Sequence, residues 1–192
     1  MRQTEPIRDK AEVRRLSAYY AKQGQHRNHL LIILQLYTAL RISDILNLKT
    51  DDVYNFTRNK TTPKIKLHLK EQKTGKTKII KLNKKITEAL LMYIPEARQG
   101  TALILNPKTN KAISRIQAHR ITKQAGQAVN IEEPISCHSL RKTFGYHAWK
   151  NGVSPAIIME IYNHSSLAVT RRYLGVSKSD MNEVYINMQF NE

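Results

Sequence analysis

Much of the chain carries hydrophobic residues at the three- and four-residue spacing of amphipathic helices. A capping box at Asp9 and Glu12 starts the first predicted helix, over about residues 10–23, and Gly24 ends it. Further helices are predicted over about residues 28–40, 41–48, 83–94 and 114–129. Four shorter helices are predicted to begin near His138, at Ser154 and Pro155, near Ser166 and near Ser177.

Three stretches, over residues 53–57, 65–69 and 77–82, have strand-like sequences. In the last two, apolar and polar residues alternate, and Thr74 and Gly75 between them suit a hairpin turn. The pattern predicts a mainly α-helical fold with one small antiparallel β-sheet near its N-terminal third, an α+β architecture. A chain of 192 residues can bury one sizeable core, so residues 1–192 are predicted to form a single domain.

The chain is strongly basic. Lysine and arginine total 32 against 15 aspartates and glutamates, which gives a formal net charge of +17. Such an excess repels itself unless a polyanion neutralises it, so a nucleic acid is the first partner to consider. A basic protein without such a partner is the alternative that charge alone leaves open.

Cysteine content and hydropathy predict a cytoplasmic protein. The single cysteine, Cys137, excludes an intramolecular disulfide. The N-terminus lacks the apolar segment of a signal peptide. The longest apolar stretch, residues 30–36, is interrupted by Gln35 and is too short to span a bilayer. We therefore expect no membrane association and, in a prokaryote, a nucleoid-associated location.

Three local motifs resemble other functional sites but fail on their context. Residues 74–77 resemble the end of a phosphate-binding P-loop, but position 70 is lysine where that loop needs glycine, and a strand follows instead of a helix. His26 and His29 have a metal-ligand spacing without a cysteine or carboxylate cluster to complete a site. Cys137 and His138 are adjacent residues entering a helix, so their side chains do not face each other.

Two short motifs contain arginines that could serve phosphoryl transfer without a metal. Transfer from a DNA phosphodiester needs a nucleophile, positive charge on the phosphorane oxygens and a proton donor for the leaving oxygen. Paired arginines supply this charge because their forks match phosphate oxygens bidentately. Arg41 and Asp44 are three residues apart, so Asp44 is predicted to hold the guanidinium, and His138 and Arg141 share a helix face. Alone, a histidine and an arginine at this spacing are more typical of a solvated helix face, and for Arg41 and Asp44 the alternative is an ordinary ion pair on a helix.

A tyrosine follows a predicted helix break near the end of the chain. His164 and Tyr173 are nine residues apart and would lie on opposite faces of one continuous helix. The two serines after His164 offer a break and a new cap, so the two side chains converge if the helix restarts there. Arg171 and Arg172 flank the tyrosine, where they are predicted to favour its ionised form or bind a nearby phosphate. A basic helix with a half-buried tyrosine is the alternative.

Four motifs occur together in an order and spacing typical of one enzyme family. They are Ala39-Leu40-Arg41-Ile42-Ser43-Asp44, Lys73-Thr74-Gly75-Lys76, His138-Ser139-Leu140-Arg141, and His164-Ser165-Ser166 with Tyr173 nine residues after the histidine. Each motif alone is common, whereas the full set is specific and spans nearly the whole chain. On these motifs the chain resembles the tyrosine recombinase, or phage integrase, family.

The resemblance implies a role for six residues. Arg41 and Arg141 would bind the scissile phosphate, His138 and His164 would assist by hydrogen bonding and acid–base chemistry, Lys73 would protonate the leaving 5′ oxygen, and Tyr173 would form a 3′-phosphotyrosine. The family needs no metal and no high-energy cofactor, because the phosphotyrosine conserves the bond energy. The resemblance also implies the recombinase catalytic-domain fold, double-stranded DNA as substrate, a tetramer on DNA and, for some reactions, accessory DNA-bending proteins.

The sequence departs from the family pattern at two places. Tyr162 and Asn163 replace the usual Leu-Gly before the second histidine, and little damage is expected because asparagine tolerates left-handed backbone geometry. Only 40 residues precede Arg41, too few for the N-terminal core-binding domain that most members carry. The chain is therefore expected to be either a minimal recombinase, similar to the fimbrial phase-switch invertases, or an excised fragment.

The last predicted helix carries one apolar stripe. Its members are Met181, Val184, Tyr185 and Met188. Residues 177–192 are thus predicted to be a C-terminal helix and tail beyond a core of about residues 1–176. The stripe either folds back onto its own domain or docks on a neighbouring subunit, as the resemblance implies.

The favoured function is a site-specific DNA recombinase acting in integration, excision or inversion. One alternative is a type IB topoisomerase-like nicking-closing activity, which shares this active-site plan. The other is a catalytically silent DNA-binding regulator, against which the intact set of six residues argues.

Overall fold

Side-chain caps start several helices where the sequence predicts them. The computed structural model describes residues 4–176 and 178–188, apart from the side chains of residues 178, 179 and 184. The capping side chains, each accepting a main-chain hydrogen bond from the first turn, are Asp9, Asn83, Ser114, Ser136, Ser154 and Ser166. These bonds satisfy N–H groups that have no acceptor within the helix, which stabilises its first turn.

Helices make up most of the fold. They are α1 (Lys10–Lys22), α2 (His26–Thr38), α3 (Ile42–Asn47), α4 (Thr50–Val53), α5 (Lys84–Tyr93), α6 (Arg115–Ala128), α7 (Cys137–Lys150), α8 (Pro155–Tyr162), α9 (Leu167–Leu174) and α10 (Lys178–Asn187). The prediction of a short helix near His138 is wrong in length, because α7 runs for 14 residues. None of the helices in the described ranges is long and apolar enough to cross a membrane.

Within the described residues, the strands form three separate antiparallel pairs instead of one sheet. The pairs are β1 (Tyr54–Phe56) with β2 (Thr61–Pro63), β3 (Lys66–Lys70) with β4 (Thr77–Lys81), and β5 (Leu105–Asn106) with β6 (Lys111–Ala112). The β3–β4 hairpin is confirmed, with Lys70 paired to Thr77 at its closed end. The prediction of a single sheet is wrong because strands of two or three residues, such as β2 and β5, are too short to show alternation.

Two hydrophobic clusters support the helices. The larger one surrounds α2, which packs against α1, α5 and α7 and buries most of its side chains. The smaller one consists of Ala39, Ile158, Tyr162 and Leu174, and holds α8 and α9 against α7. Helix α7 approaches this smaller cluster closely at Gly145, where an added Cβ would lie 2.5 Å from Tyr162 Oη. Since Leu140 of α7 belongs to the larger cluster, this helix joins the two.

Helix α10 is held to its own domain by ion pairs. Lys150 of α7 lies 2.9 Å from Asp180 and 2.7 Å from Glu183, and Arg8 lies 3.7 Å from Asp180. The exposed members of the predicted apolar stripe are Met181, Tyr185 and Met188. The side chain of Val184, the fourth member, lies outside the described residues. Helix α10 thus contacts the domain through acidic residues and exposes the described part of its stripe.

Candidate active site

All six residues that the sequence singles out for chemistry line one open cleft. The cleft has a volume of about 760 Å³, and its walls include Arg41, Lys73, His138, Arg141, His164 and Tyr173. These side chains come from the α2–α3 junction, the β3–β4 turn, α7, the α8–α9 junction and α9. The fold therefore brings residues from five separate segments to one surface.

The two arginines of the cleft meet at one main-chain carbonyl. Arg41 Nη2 and Arg141 Nη2 both donate to the carbonyl oxygen of Tyr162, at 3.4 and 3.3 Å. Arg141 also donates through Nη1 to the carbonyl of Ala39 and lies over the Tyr162 ring, 4.6 Å from its centroid. These contacts hold the two guanidinium groups side by side.

A buried carboxylate that the sequence did not reveal holds Arg41. Glu71 Oε2 lies 3.1 Å from Arg41 Nη1, and the Glu71 side chain is fully buried. The prediction that Asp44 holds this guanidinium is wrong, since Asp44 Oδ1 accepts a hydrogen bond from Gln72 N instead. Arg41 precedes α3 with an extended backbone (φ −70°, ψ 149°), so the helical three-residue spacing does not apply to it.

The β3–β4 hairpin carries one lysine that lines the cleft and another that hydrogen-bonds to Glu71. Lys73 lies in the turn, is exposed and lines the cleft. Gly75 in the same turn has the left-handed φ of 67° that closes it. Lys78 on β4 is partly buried and donates to the Ile161 carbonyl and to Glu71 Oε1, so it links Glu71 to the end of α8.

The helix break after His164 brings Tyr173 into the cleft, as predicted. Asn163 ends α8 in the left-handed conformation (φ 53°), which asparagine tolerates, and Ser166 caps α9. The rings of His164 and Tyr173 lie 4.9 Å apart. Tyr173 Oη lies 3.4 Å from His138 Nδ1. The break therefore places the phenol between the two histidines of the motifs.

Comparison with known proteins decides the family. The sequence model described as the phage integrase family matches residues 8–180, which is most of the chain. The chain belongs to the phage integrase family. This family is a class of enzymes that cleave and rejoin DNA.

Two curated sequences and one solved structure are similar to this integrase-family chain. A probable integrase/recombinase, YoeC of Bacillus subtilis (strain 168), is 35% identical over 181 residues, covering 94% of each chain. The tyrosine recombinase XerD of Staphylococcus epidermidis is 30% identical over 171 residues, covering 85% of this chain and 55% of XerD. The crystal structure of the XerH site-specific recombinase in a post-cleavage complex with palindromic difH substrate aligns with a TM-score of 0.72 at 17% identity, covering 96% of this chain and 54% of XerH. The chain thus spans about half of XerD and XerH. The predicted mainly helical, tyrosine recombinase catalytic-domain fold is confirmed, with small antiparallel sheets where one sheet was predicted.

The surroundings of Tyr173 favour the neutral, protonated form of its phenol. Burial raises the pKa of Tyr173, while Arg141 and Arg41 lower it by a smaller amount. The prediction that Arg171 and Arg172 favour the ionised form is wrong, because both side chains are exposed and the charges that lower the pKa of the phenol are those of Arg141 and Arg41. Ionisation of Tyr173 therefore requires a proton acceptor.

Both histidines of the integrase-family cleft are neutral near pH 7. Burial, followed by the charges of Lys142 and Arg141, lowers the pKa of His138. Burial and the charges of Arg141 and Arg41 lower the pKa of His164 to about 4. A neutral imidazole keeps one nitrogen able to accept a proton. His138, next to Tyr173 Oη, is therefore placed to accept the phenolic proton.

The other motifs of the sequence form no separate site. Residues 74–77 belong to the β3–β4 hairpin, and Cys137 Sγ lies 3.5 Å from Thr122 Oγ1. Across residues 4–176 and 178–188, no group of three or more His, Cys, Asp or Glu side chains is arranged to hold a metal ion.

Proposed function

We propose that this protein is a site-specific DNA recombinase that cleaves and rejoins DNA through a 3′-phosphotyrosine on Tyr173. The observation that carries the proposal is that Tyr173 shares one cleft with Arg41 and Arg141, a nucleophile beside two cations that match a phosphate. These residues supply the nucleophile and the charge without metal or ATP. The phosphotyrosine conserves the energy of the broken phosphodiester bond for rejoining.

Arg41 and Arg141 bind the scissile phosphate in this mechanism. Each guanidinium presents its N–H groups in a rigid fork that fits phosphate oxygens. Their shared anchor on the Tyr162 carbonyl orients both groups before DNA arrives. Charge that develops on the phosphorane oxygens then meets donors that need little reorganisation, and such preorganised donors contribute most to rate acceleration.

Proton transfers follow from the other side chains of the cleft. Tyr173 Oη bonds to phosphorus as its proton passes to His138 Nδ1, 3.4 Å away. The bond from phosphorus to the 5′ oxygen breaks, and Lys73 protonates that oxygen. His164, whose Nδ1 contacts Thr170 Oγ1 at 3.1 Å, binds a phosphate oxygen by hydrogen bonding. Rejoining runs the same steps in reverse with a 5′ hydroxyl as nucleophile.

Double-stranded DNA is the substrate that the charge favours. The net charge of +17 favours binding to the negatively charged phosphate backbone of DNA. Arg115 lies on the cleft wall and is exposed, so it can contact a phosphate that flanks the scissile one. The XerH relative of the same fold is seen in a post-cleavage complex with its difH substrate.

A pool of nicked suicide duplexes of random sequence tests the proposal. The nick lets the cleaved fragment diffuse away, so a protein–DNA adduct should accumulate and survive denaturation. We expect the adduct to form equally in EDTA, since arginines supply the positive charge. Denaturing electrophoresis measures the yield, and peptide mapping should place the DNA on Tyr173.

Each alternative function predicts a different result in these assays. Cleavage that is lost in EDTA and restored by magnesium contradicts the metal-free mechanism. Binding to duplexes without any adduct indicates a DNA-binding regulator. Relaxation of supercoiled DNA, without joining of two sites in a strand-exchange assay, indicates a topoisomerase-like activity.

We further propose that a core of about residues 1–176 forms the catalytic unit, and that α10 joins copies of it into a tetramer on DNA. Tyr185 and Met188 of the apolar stripe are 83% and 59% exposed, although ion pairs hold the acidic residues of α10 to their own domain. An exposed stripe of this kind gains stability when a second protein surface covers it.

Deletion of residues 179–192 should abolish strand exchange between two DNA sites while the remaining domain stays folded. The reason is that the deletion removes the stripe but none of the six cleft residues. A two-site recombination assay measures exchange, and the melting temperature measures folding. The control is Asn182→Ala, which changes an exposed polar residue of the same helix and should exchange normally. Full-rate exchange by the deleted protein contradicts docking between subunits.

A further inference from the structure

A single carboxylate joins three parts of the cleft wall. Glu71 follows β3, and its side chain is fully buried. Its Oε2 lies 3.1 Å from Arg41 Nη1, 2.7 Å from Asn163 Nδ2 and 2.8 Å from Thr74 Oγ1. Its Oε1 accepts from Lys78 Nζ at 3.4 Å. Four donors from the α2–α3 junction, the hairpin and the α8–α9 junction thus converge on one group.

The ionised form of Glu71 is strongly favoured by its surroundings. Burial alone would raise the pKa of Glu71, but the hydrogen bonds from Thr74 and Asn163 and the charges of Lys78 and Arg41 outweigh it and lower the pKa to about 2. A buried carboxylate at neutral pH therefore carries a full negative charge inside a cationic cleft. A charged acceptor makes stronger hydrogen bonds than a neutral one, so this position specifically suits a carboxylate.

We propose that Glu71 is a positioning residue for DNA cleavage, which fixes Arg41, the Lys73-bearing hairpin turn and the turn before His164 in one geometry. The inference rests on the proposed function, because it concerns the alignment of that same site. Glu71 acts through other residues, since its buried carboxylate is fully occupied by four donors and would repel a phosphate.

The contacts explain how alignment depends on the carboxylate. Arg41 has two anchors among the described residues, the Tyr162 carbonyl at 3.4 Å and Glu71 at 3.1 Å, and only Glu71 offers it a charged acceptor. Thr74 follows Lys73 directly, and Asn163 precedes His164 directly. A shift of the carboxylate therefore moves three of the six cleft residues together. Displacements of about 1 Å from productive geometry can slow an enzyme by about 10²-fold.

Glu71→Gln tests the proposal because it keeps the shape and removes the charge. We expect single-turnover adduct formation at saturating DNA to slow by about 10- to 100-fold. DNA affinity should not weaken, because the variant is more positive by one charge. Glu88→Gln is the matched control, since it removes one partly exposed carboxylate outside the cleft and should cleave at the normal rate. A lower cleavage rate at saturating DNA with an unchanged melting temperature indicates misalignment of the site. A lower melting temperature indicates a general loss of folded protein.

A double-mutant cycle examines the route through Arg41. If Glu71 acts largely through this arginine, Glu71→Gln should slow adduct formation much less in the Arg41→Ala background than in the unaltered protein. Full multiplicative slowing in the Arg41→Ala background contradicts that route and overturns the part of the proposal in which Glu71 fixes Arg41.

A second variant keeps the test decisive if Glu71→Gln does not fold. Asn163→Gly removes one hydrogen bond to Glu71 at a position whose φ of 53° suits glycine. We expect a smaller fall in the saturated cleavage rate with unchanged DNA affinity. A normal rate in both folded variants, or in Asn163→Gly alone if Glu71→Gln does not fold, overturns the positioning role. Absence of adduct from the unaltered protein would instead count against the proposed function itself.

Discussion

Tyr173→Phe is expected to abolish the covalent protein–DNA adduct completely. The substitution removes only Oη, the atom proposed to bond to phosphorus. The ring that packs against His138, His164 and Tyr162 at 4.9 to 5.0 Å is retained. Folding and DNA binding should therefore persist. Denaturing electrophoresis with the nicked suicide substrate measures the adduct, and a gel-shift titration measures binding.

Tyr19→Phe is the matched control for this substitution. Tyr19 lies on α1 and does not line the cleft, so its variant should form adduct at the normal yield. Undiminished adduct from Tyr173→Phe would remove Tyr173 as the nucleophile and with it the proposed mechanism.

Loss of the Arg141 guanidinium should slow cleavage by about 10²- to 10³-fold, the effect of removing one preorganised donor to a transition-state oxyanion. Arg141→Lys keeps the charge but replaces a planar fork with a compact ammonium, so it should lose most of the rate as well. Single-turnover rates at saturating DNA measure the effect. Lysine is the more informative substitution, because alanine would also remove the Arg141 hydrogen bond to the Ala39 carbonyl and leave the Tyr162 carbonyl with Arg41 alone.

Arg98→Ala provides the comparison for a change in charge alone. Arg98 is exposed and does not line the cleft, so its loss should change cleavage at saturating DNA very little. Near-normal cleavage by Arg141→Lys would mean that this arginine does not stabilise the transition state through its fork.

Local sequence signals predicted the parts of the site that depend on local structure. The two serines after His164 predicted the helix break, and the break brings that ring to Tyr173. Alternation and a glycine turn predicted the hairpin that carries Lys73. In both cases the decisive bonds join residues only a few positions apart, where spacing determines geometry.

The sequence-based predictions failed where two contacting residues are distant in sequence or where a residue lies just outside a helix. Glu71 has no local signal as a partner of Arg41, because 30 residues separate them, and Asn163 is 92 residues from Glu71. Asp44 fitted the helical spacing, but Arg41 lies outside the helix that the spacing assumes. Arg171 and Arg172 are close to Tyr173 along the chain, yet their side chains are exposed to solvent. Such cases require the tertiary structure.

The smaller hydrophobic cluster has a consequence for the local stability of the site. The buried side chains that hold α8 and α9 are few, so separating these two helices exposes much less apolar area than global unfolding does. Regions with few buried contacts open at lower free energy than the protein as a whole. One local opening would withdraw Tyr173 and the Tyr162 carbonyl that anchors both arginines. Such an opening would therefore remove the proposed nucleophile and the proposed phosphate-binding geometry together, reversibly, while the larger core stays folded.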